Sequence, residues 1–130
     1  MNIKTFIVDD DEISIMLTNL LLKDSSFFQE IDTYLDGAYA LEHLKNEYSE
    51  ETIYIIILDI NMPLMNGWEF LEEIKAFVTR KNTFVFMLSS STDRVDIEKA
   101  ENIDLVKGFF SKPLKTEHLN QIQEQIKIEL

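Results

Sequence analysis

The chain of 130 residues contains no cysteine. Disulfides, thiolate metal sites and cysteine nucleophiles are thereby excluded. Glycine and proline are scarce, at three and two residues, so the few present mark turns rather than linkers or low-complexity tracts. Positive charge is also in short supply. Lys and Arg number 12 against 24 Asp and Glu, a formal charge of −12. With no basic cluster, such a chain repels phosphate backbones, and direct nucleic-acid binding is not expected. Long apolar runs are missing too. The longest, Ile53–Leu58, suits a buried strand and falls far short of the ~20 residues of a membrane span. The apolar run Phe6-Ile7-Val8 ends at three acids and does not make a signal peptide. The expectation is a cytoplasmic protein with no membrane association.

What remains is ordinary for a globular domain: 45% hydrophobic and 28% charged residues. The length fits one domain over residues 1–130, large enough to bury a core without staples. Four runs read as strands: Lys4–Val8, Ile53–Leu58, Thr83–Leu88 and the weaker Gly108–Phe110. Ile31–Leu35 is a plausible fifth. Their continuous hydrophobicity suits a parallel sheet covered on both faces. Between them the apolar spacing turns helical. Ile13, Met16, Leu17, Leu20 and Leu21 form one stripe, and Ala38, Leu41, Leu44 and Tyr48 another. Phe70, Leu71, Ile74, Phe77 and Val78 follow, then Leu119, Ile122 and Ile126 in the last helix. Val95, Ala100 and Ile103 suggest a shorter helix after Thr92 and Asp93. The alternation βαβαβαβαβα predicts an α/β fold, a doubly wound five-stranded parallel sheet of order 2-1-3-4-5. In such sheets ligands bind beyond the carboxyl ends of the strands, where the order reverses between strands 1 and 3.

Those ends carry an unusual set of side chains. Strand 1 runs into Asp9-Asp10-Asp11, and strand 3 into Asp59-Ile60-Asn61-Met62-Pro63. Strand 4 is followed by Ser89-Ser90-Ser91, and strand 5 by Ser111-Lys112-Pro113. Neighbouring carboxylates repel and call for a cation. Oxygen ligands without Cys or His suit Mg²⁺ or Mn²⁺. An ionised Asp beside such an ion can attack phosphorus and form an acyl phosphate. A nearby Lys neutralises the oxygens of the arriving group, and a hydroxyl from strand 4 can hydrogen-bond it.

These residues resemble the receiver domain of response regulators in bacterial two-component systems, of the stand-alone single-domain type with the flavodoxin-like (βα)5 fold. The resemblance covers the chain from Lys4 to the last helix. It rests on the acidic pair Asp9-Asp10 and on Asp59 with Met62-Pro63 and Gly67, the family's D-x-x-M-P-x-x-x-G signature. It rests further on Ser89 followed by the small Ser90, on Phe109, and on Lys112-Pro113.

The resemblance implies a role for each. Asp59 is the phosphoacceptor. Asp10 and Asp59 bind Mg²⁺ (or Mn²⁺) through carboxylates, Asn61 through its backbone carbonyl, and Asp9 through a water. Lys112 pairs with the phosphoryl group, after a cis peptide to Pro113. Ser89 and Phe109 transmit the switch. The implied donor is a sensor histidine kinase or histidine phosphotransfer protein. An effector reads the face made by the fourth helix, fifth strand and fifth helix. The protein is then a switch that catalyses only its own phosphotransfer and slow autodephosphorylation, as a monomer or weak dimer. Two departures stand out. Ser89 replaces a frequent Thr, losing the β-branch. Phe109 replaces a frequent Tyr, losing the hydroxyl. Asn61 and Ser91 occupy positions the family uses to tune dephosphorylation. The chain ends at Leu130 with no output domain, so output is expected through a partner or onward phosphotransfer.

Other conspicuous residues read as structural. Asp11 and Glu12 favour a helix start, and Asn66 caps the helix after the acceptor loop. Gly67 permits a tight approach or turn. Trp68 reads as packing, and His43 and His118 as solvated or half-buried residues. Ser90 and Ser91 read as loop and cap residues, Lys107 and Lys115 as solvated charges. Two further functions compete. One is an Mg²⁺-dependent phosphohydrolase with an Asp nucleophile. That class places a general acid two residues beyond the nucleophile, where this chain has Asn61. The other is a non-phosphorylated receiver-like scaffold, which the complete set Asp9, Asp10, Asp59, Ser89 and Lys112 disfavours.

Overall fold

The computed structural model describes residues 2–90 and 93–129. The readings placed on Ser91 and Thr92 lie outside these residues. Five strands, β1 (Asn2–Val8), β2 (Glu30–Tyr34), β3 (Thr52–Asp59), β4 (Thr83–Ser89) and β5 (Val106–Ser111), alternate with five helices. These are α1 (Glu12–Lys23), α2 (Gly37–Glu47), α3 (Gly67–Ile74), α4 (Arg94–Glu101) and α5 (Thr116–Glu129). The strands are all parallel in the order β2-β1-β3-β4-β5. This is the expected doubly wound fold, with the reversal between β1 and β3. No helix among the described residues is long and apolar enough to cross a membrane.

The sheet divides two cores. Phe6, Val8, Ile56, Leu58, Val85 and Met87 face Leu44 of α2, Phe70 and Ile74 of α3, and Ala100 of α4. Ile7, Ile55, Ile57, Phe84, Phe86 and Leu88 face Leu22 of α1 and Leu119, Ile122 and Ile126 of α5. The alternation along each strand is that of a pleated sheet covered on both sides. The central strands are accordingly apolar throughout, and β3 is buried from Ile53 to Asp59.

One helix, α1, sits in a different rotation from the one its apolar residues suggest. In α1 the buried residues are Thr18 and Leu22. Ile13, Met16, Leu17 and Leu20 are instead 64, 53, 50 and 59% exposed. Thr18 is polar and Leu22 falls one turn later, which places the buried stripe between the residues that spacing picks out. In α2, Leu44 is buried and Leu41 and Tyr48 pack against the same core, as the spacing predicts, while Ala38 is exposed and Gly37 and Ala40 are buried. Gly37 abuts Met65 of the loop after β3. The predicted stripes of α3 and α5 are buried, although α3 ends at Ile74 and Phe77 and Val78 pack from the turn beyond it. In α4 only Ala100 is buried, and Val95 is 68% exposed.

Caps place the helix starts beside the strand ends. Asp11 accepts the Ile13 amide at the head of α1, and Asp36 accepts that of Tyr39 at the head of α2. Asn66 and Glu69 form a reciprocal capping box on α3. These interactions satisfy amides that have no partner within the helix.

Candidate functional site

Burial and charge converge at the carboxyl edge of β1, β3, β4 and β5. Asp9 directly follows β1, Asp59 is the last residue of β3, Ser89 the last of β4, and Lys112 the first after β5. The register of β1 on β3 pairs Val8 with Leu58, so Asp9 and Asp59 leave neighbouring strands side by side. Both acids are buried, at 2 and 4% exposure, while Asp10 is exposed at the mouth. Oxygen atoms of Asp9, Asp10 and Asp59 lie within 4.8 Å of one another. Such a set of hard oxygen donors fits a divalent cation of the Mg²⁺ or Mn²⁺ type.

Lys112 closes the far side. Its ammonium is 2.9 Å from Asp9 Oδ2 and 3.5 Å from Asp59 Oδ2. The peptide to Pro113 is cis, and the Lys112 amide donates to the Ser89 carbonyl at 2.7 Å. That backbone bond ties the end of β4 to the start of the lysine loop. Burial by itself would push the Lys112 ammonium down. The hydrogen bond and charge of Asp9, with those of Asp59, outweigh it and hold the group above its ordinary value.

Asp59 responds in the opposite sense. Burial pushes its carboxyl up, the negative charge of Asp9 pushes it further, and Lys112 only partly offsets them, leaving it at about 7. One ammonium cannot neutralise two buried carboxylates. The site is therefore short of positive charge, which a bound divalent cation would supply.

Asp9 is held more firmly than a lone carboxylate at a strand end. The Ser14 hydroxyl donates to its Oδ2 at 2.6 Å, and the Asp11 amide donates to its Oδ1 at 3.0 Å. Its own amide donates to the Tyr34 carbonyl at 3.0 Å. Ser14 was not among the candidate residues. The available signal is its place in the first turn of the helix that follows the acidic strand end, where a hydroxyl can reach back.

Gly67 shows why the loop after β3 ends in glycine. A Cβ there would lie 2.7 Å from the Asp59 carbonyl oxygen and 3.0 Å from Ile60 Cα. The Gly67 amide donates to the Ile60 carbonyl at 2.8 Å. Close approach, not a left-handed turn, requires the glycine, and it bolts the head of α3 to the end of β3. Trp68 then packs against the core and lies 4.6 Å beneath the Lys99 ammonium of α4. Asn61 is exposed in the loop beyond Asp59.

Ser89 is fully buried and Phe109 half-buried against the core that holds Met87 and Ala100. Paired positions Met87–Phe109 and Ser89–Ser111 put them on adjacent strands. Exposed Ser90 follows Ser89.

Among the described residues, those read as structural behave so, with one correction. Lys107 is not a solvated charge. Its side chain is 17% exposed and its ammonium lies 3.7 Å from Glu129 of α5. His43 has specific partners: its Nδ1 meets the Tyr34 hydroxyl and its Nε2 lies 3.2 Å from Glu47. Asp32, His43 and Glu47 form a second potential metal group, but the Lys4 ammonium stands 2.6 Å from Glu47 and 3.3 Å from Asp32. That lysine already provides the positive charge there. His118 accepts the Lys115 amide at 3.0 Å and stacks on Phe110.

Comparison with known proteins agrees with this geometry. Residues 5–124 match the family model described as the response regulator receiver domain. A two-component response regulator from Cytophaga hutchinsonii is 30% identical, with a TM-score of 0.86 over 98% of each chain. Chemotaxis protein CheY4 of Vibrio cholerae is 25% identical, with a TM-score of 0.78 over 97% of this chain and 99% of that one. Among curated relatives, a probable chemotaxis protein CheY from Rhizobium etli is 26% identical over 95% of this chain and 92% of its own length. A protein-glutamate methylesterase/protein-glutamine glutaminase from Methanococcoides burtonii is 29% identical over 95% of this chain, which spans only 34% of that protein. The acid cluster, the lysine after β5, the sheet order and the matched residues lead to one assignment: the chain belongs to the response regulator receiver domain family, whose members act in phosphorelay signalling.

Proposed function

We infer that residues 1–130 work as a receiver domain in which Asp59 accepts a phosphoryl group from a phosphohistidine on a partner protein. The observation that carries this reading is the site itself. Two buried carboxylates and one ammonium meet at the carboxyl rim of the sheet, with Asp59 held at about 7. A buried carboxyl poised there gains nucleophilic character once a cation replaces its proton.

Asp10, Asp59 and the Asn61 carbonyl would hold Mg²⁺ (or Mn²⁺), with Asp9 acting through a water. When bound, the ion supplies positive charge to the acids and to phosphoryl oxygens. Asp59 presents an oxygen to phosphorus. Asp9 fixes the Lys112 ammonium, and Ser14 and the Asp11 amide fix Asp9. Lys112 pairs with an oxygen of the arriving group. The Ser89 hydroxyl turns to donate to that group, and Phe109 moves into the space on the β4–β5 side. A few charge-assisted hydrogen bonds, each contributing roughly 1.5–3 kcal/mol, are enough to shift a two-state equilibrium substantially.

The partners of this reading are a sensor histidine kinase or histidine phosphotransfer protein upstream and an effector at the α4–β5–α5 face. The chain is a switch, not a multiple-turnover phosphohydrolase, because exposed Asn61 offers no general acid two residues beyond Asp59. The test is labelling by a small-molecule phosphodonor with and without Mg²⁺. The expected product is an acyl phosphate absent from Asp59→Asn. Full labelling of that variant refutes the assignment.

A further inference from the structure

The rotation of α1 turns four large apolar side chains outward. Ile13, Met16, Leu17 and Leu20 are each at least half exposed. They stand at i, i+3, i+4 and i+7, so each neighbours two of the others along one face of the helix. Helix geometry alone makes them a single patch. The patch continues into a groove, because Ile13 and Leu17 also line a cavity of about 230 Å³ whose far wall is Pro113 and Leu114. Contiguous apolar surface of this kind marks an interaction site, whereas scattered residues do not. The helix that presents it has a fixed rotation. Asp11 caps its first turn, Ser14 holds Asp9, and Leu22 is anchored in the core with Phe28.

The charges that flank the stripe choose its occupant. Glu12 stands in the first turn of α1 and Lys23 in the last, and both are exposed. The interval between them is close to a whole number of turns, so they lie on the same flank of the stripe, one at each end. A second α1 laid antiparallel, about a two-fold axis level with Met16 and Leu17, brings Ile13 of each copy to Leu20 of the other. The same operation sets Glu12 of each copy beside Lys23 of the other. A parallel pair would set Glu12 against Glu12 and Lys23 against Lys23. The helix is self-complementary in the antiparallel orientation alone.

We propose that α1 pairs antiparallel with α1 of a second copy of this chain. Ile13, Met16, Leu17 and Leu20 form the seam, and Glu12 and Lys23 form the flanking contacts. Two such stripes cover about 1,000 Å² at most, the lower bound of specific interfaces. Each copy also carries a net −12, and Asp24 approaches the acidic end of the other helix. The pair is therefore weak and forms where salt screens that repulsion, over a length of about 8 Å at physiological ionic strength. It does not depend on the phosphoacceptor reading.

The experiment is sedimentation velocity in physiological salt, from about 10 µM to about 1 mM chain, the span in which a weak pair dissociates. The average mass of the unaltered chain should rise from that of one copy toward that of two. Leu17→Gln alters a half-exposed position, and circular dichroism checks that it stays folded. Its association should weaken by about tenfold or more, since the two-fold axis removes the leucine from both sides of the seam. Glu12→Lys brings the net charge closer to zero and so lowers general repulsion. The pairing nevertheless predicts weaker self-association for it, because two cations then meet at each end of the seam. Lys23→Glu should weaken association likewise. An equimolar mixture of these two charge variants should associate more tightly than either alone. An unaltered chain that keeps the mass of one copy throughout overturns the proposal. Undiminished association of Leu17→Gln also overturns it, by placing the contact on another face. Glu12→Lys that associates as tightly as the unaltered chain overturns the antiparallel arrangement, and so does a mixture no tighter than its components.

Discussion

Lys112 stands closer to Asp9 than to the proposed acceptor. Its ammonium is 2.9 Å from Asp9 and 3.5 Å from Asp59. Asp9 therefore acts as the anchor that holds the lysine, leaving its charge free to turn toward a group arriving on Asp59. Lys112→Met removes the one ammonium between two buried carboxylates. Such unbalanced burial costs about 3–5 kcal/mol when a partner is lost. The variant is expected to unfold at a lower temperature at pH 8 and to regain much of the loss in millimolar Mg²⁺. Thermal unfolding with and without Mg²⁺ checks both parts.

Asp59 sets the pH dependence. Its carboxyl lies at about 7 in the folded chain, against 3.8 as its ordinary value. Between those pH values the folded state holds a proton that the unfolded state has released, so stability falls as pH rises through this window. The stabilisation is fully present below about 4 and lost above about 7. Asp59→Asn cannot ionise. It is expected to raise the unfolding midpoint at pH 8 and to change it far less at pH 5. A midpoint increase that is the same at both values would contradict the raised carboxyl.

The same proton opposes metal. A cation must displace it from Asp59, so Mg²⁺ affinity should strengthen as pH rises toward 8, with proton release on binding. Trp68 is a convenient reporter, since it follows Gly67, which is packed against the Asp59 carbonyl. Mg²⁺ titrations followed by its fluorescence at pH 6 and pH 8 make the comparison.

Ser14 orients the pocket without belonging to the acid set. Its hydroxyl donates to Asp9 at 2.6 Å, at a carboxylate oxygen that also receives Lys112. Ser14→Ala removes one of the contacts that hold the Asp9 carboxylate, leaving the Asp11 amide and Lys112. Loss of such an orienting partner lowers metal affinity by roughly tenfold or more. The expected result is weaker Mg²⁺ binding with the fold intact, whereas Ser14→Thr, which keeps the hydroxyl, should restore binding.

Much of this site was legible in the sequence because the fold sends strand ends to one rim. Once five strands alternate with five helices, Asp9, Asp59, Ser89 and Lys112 must arrive at the same edge. Contacts made by reaching back across a turn were not legible. Ser14 on Asp9 and the positive φ of Leu64, at 68°, depend on rotamers and loop dihedrals that residue type alone does not specify. Lys107 was misread because an ammonium can lie flat along a strand and pair with Glu129, far away in sequence. The rotation of α1 was hidden for another reason. Spacing rewards large apolar residues, whereas this helix buries Thr18, which carries little hydrophobic signal.

The rotation of α1 makes a sharp contrast between residues of one type. Leu17 and Leu20 are 50 and 59% exposed, and Leu22 is fully buried against Phe28 and the face of the sheet toward α5. A stripe centred on Leu17 would make its truncation costly. The structure instead predicts that Leu17→Ala and Leu20→Ala each change stability by under about 0.5–1 kcal/mol, as half-exposed surface positions do. Leu22→Ala opens a cavity against a close-packed core and should cost about 2–5 kcal/mol. Chemical denaturation of the three variants measures the difference directly. A loss at Leu17 as large as that at Leu22 would place the helix in the rotation that apolar spacing alone suggests, and would move Thr18 out to solvent.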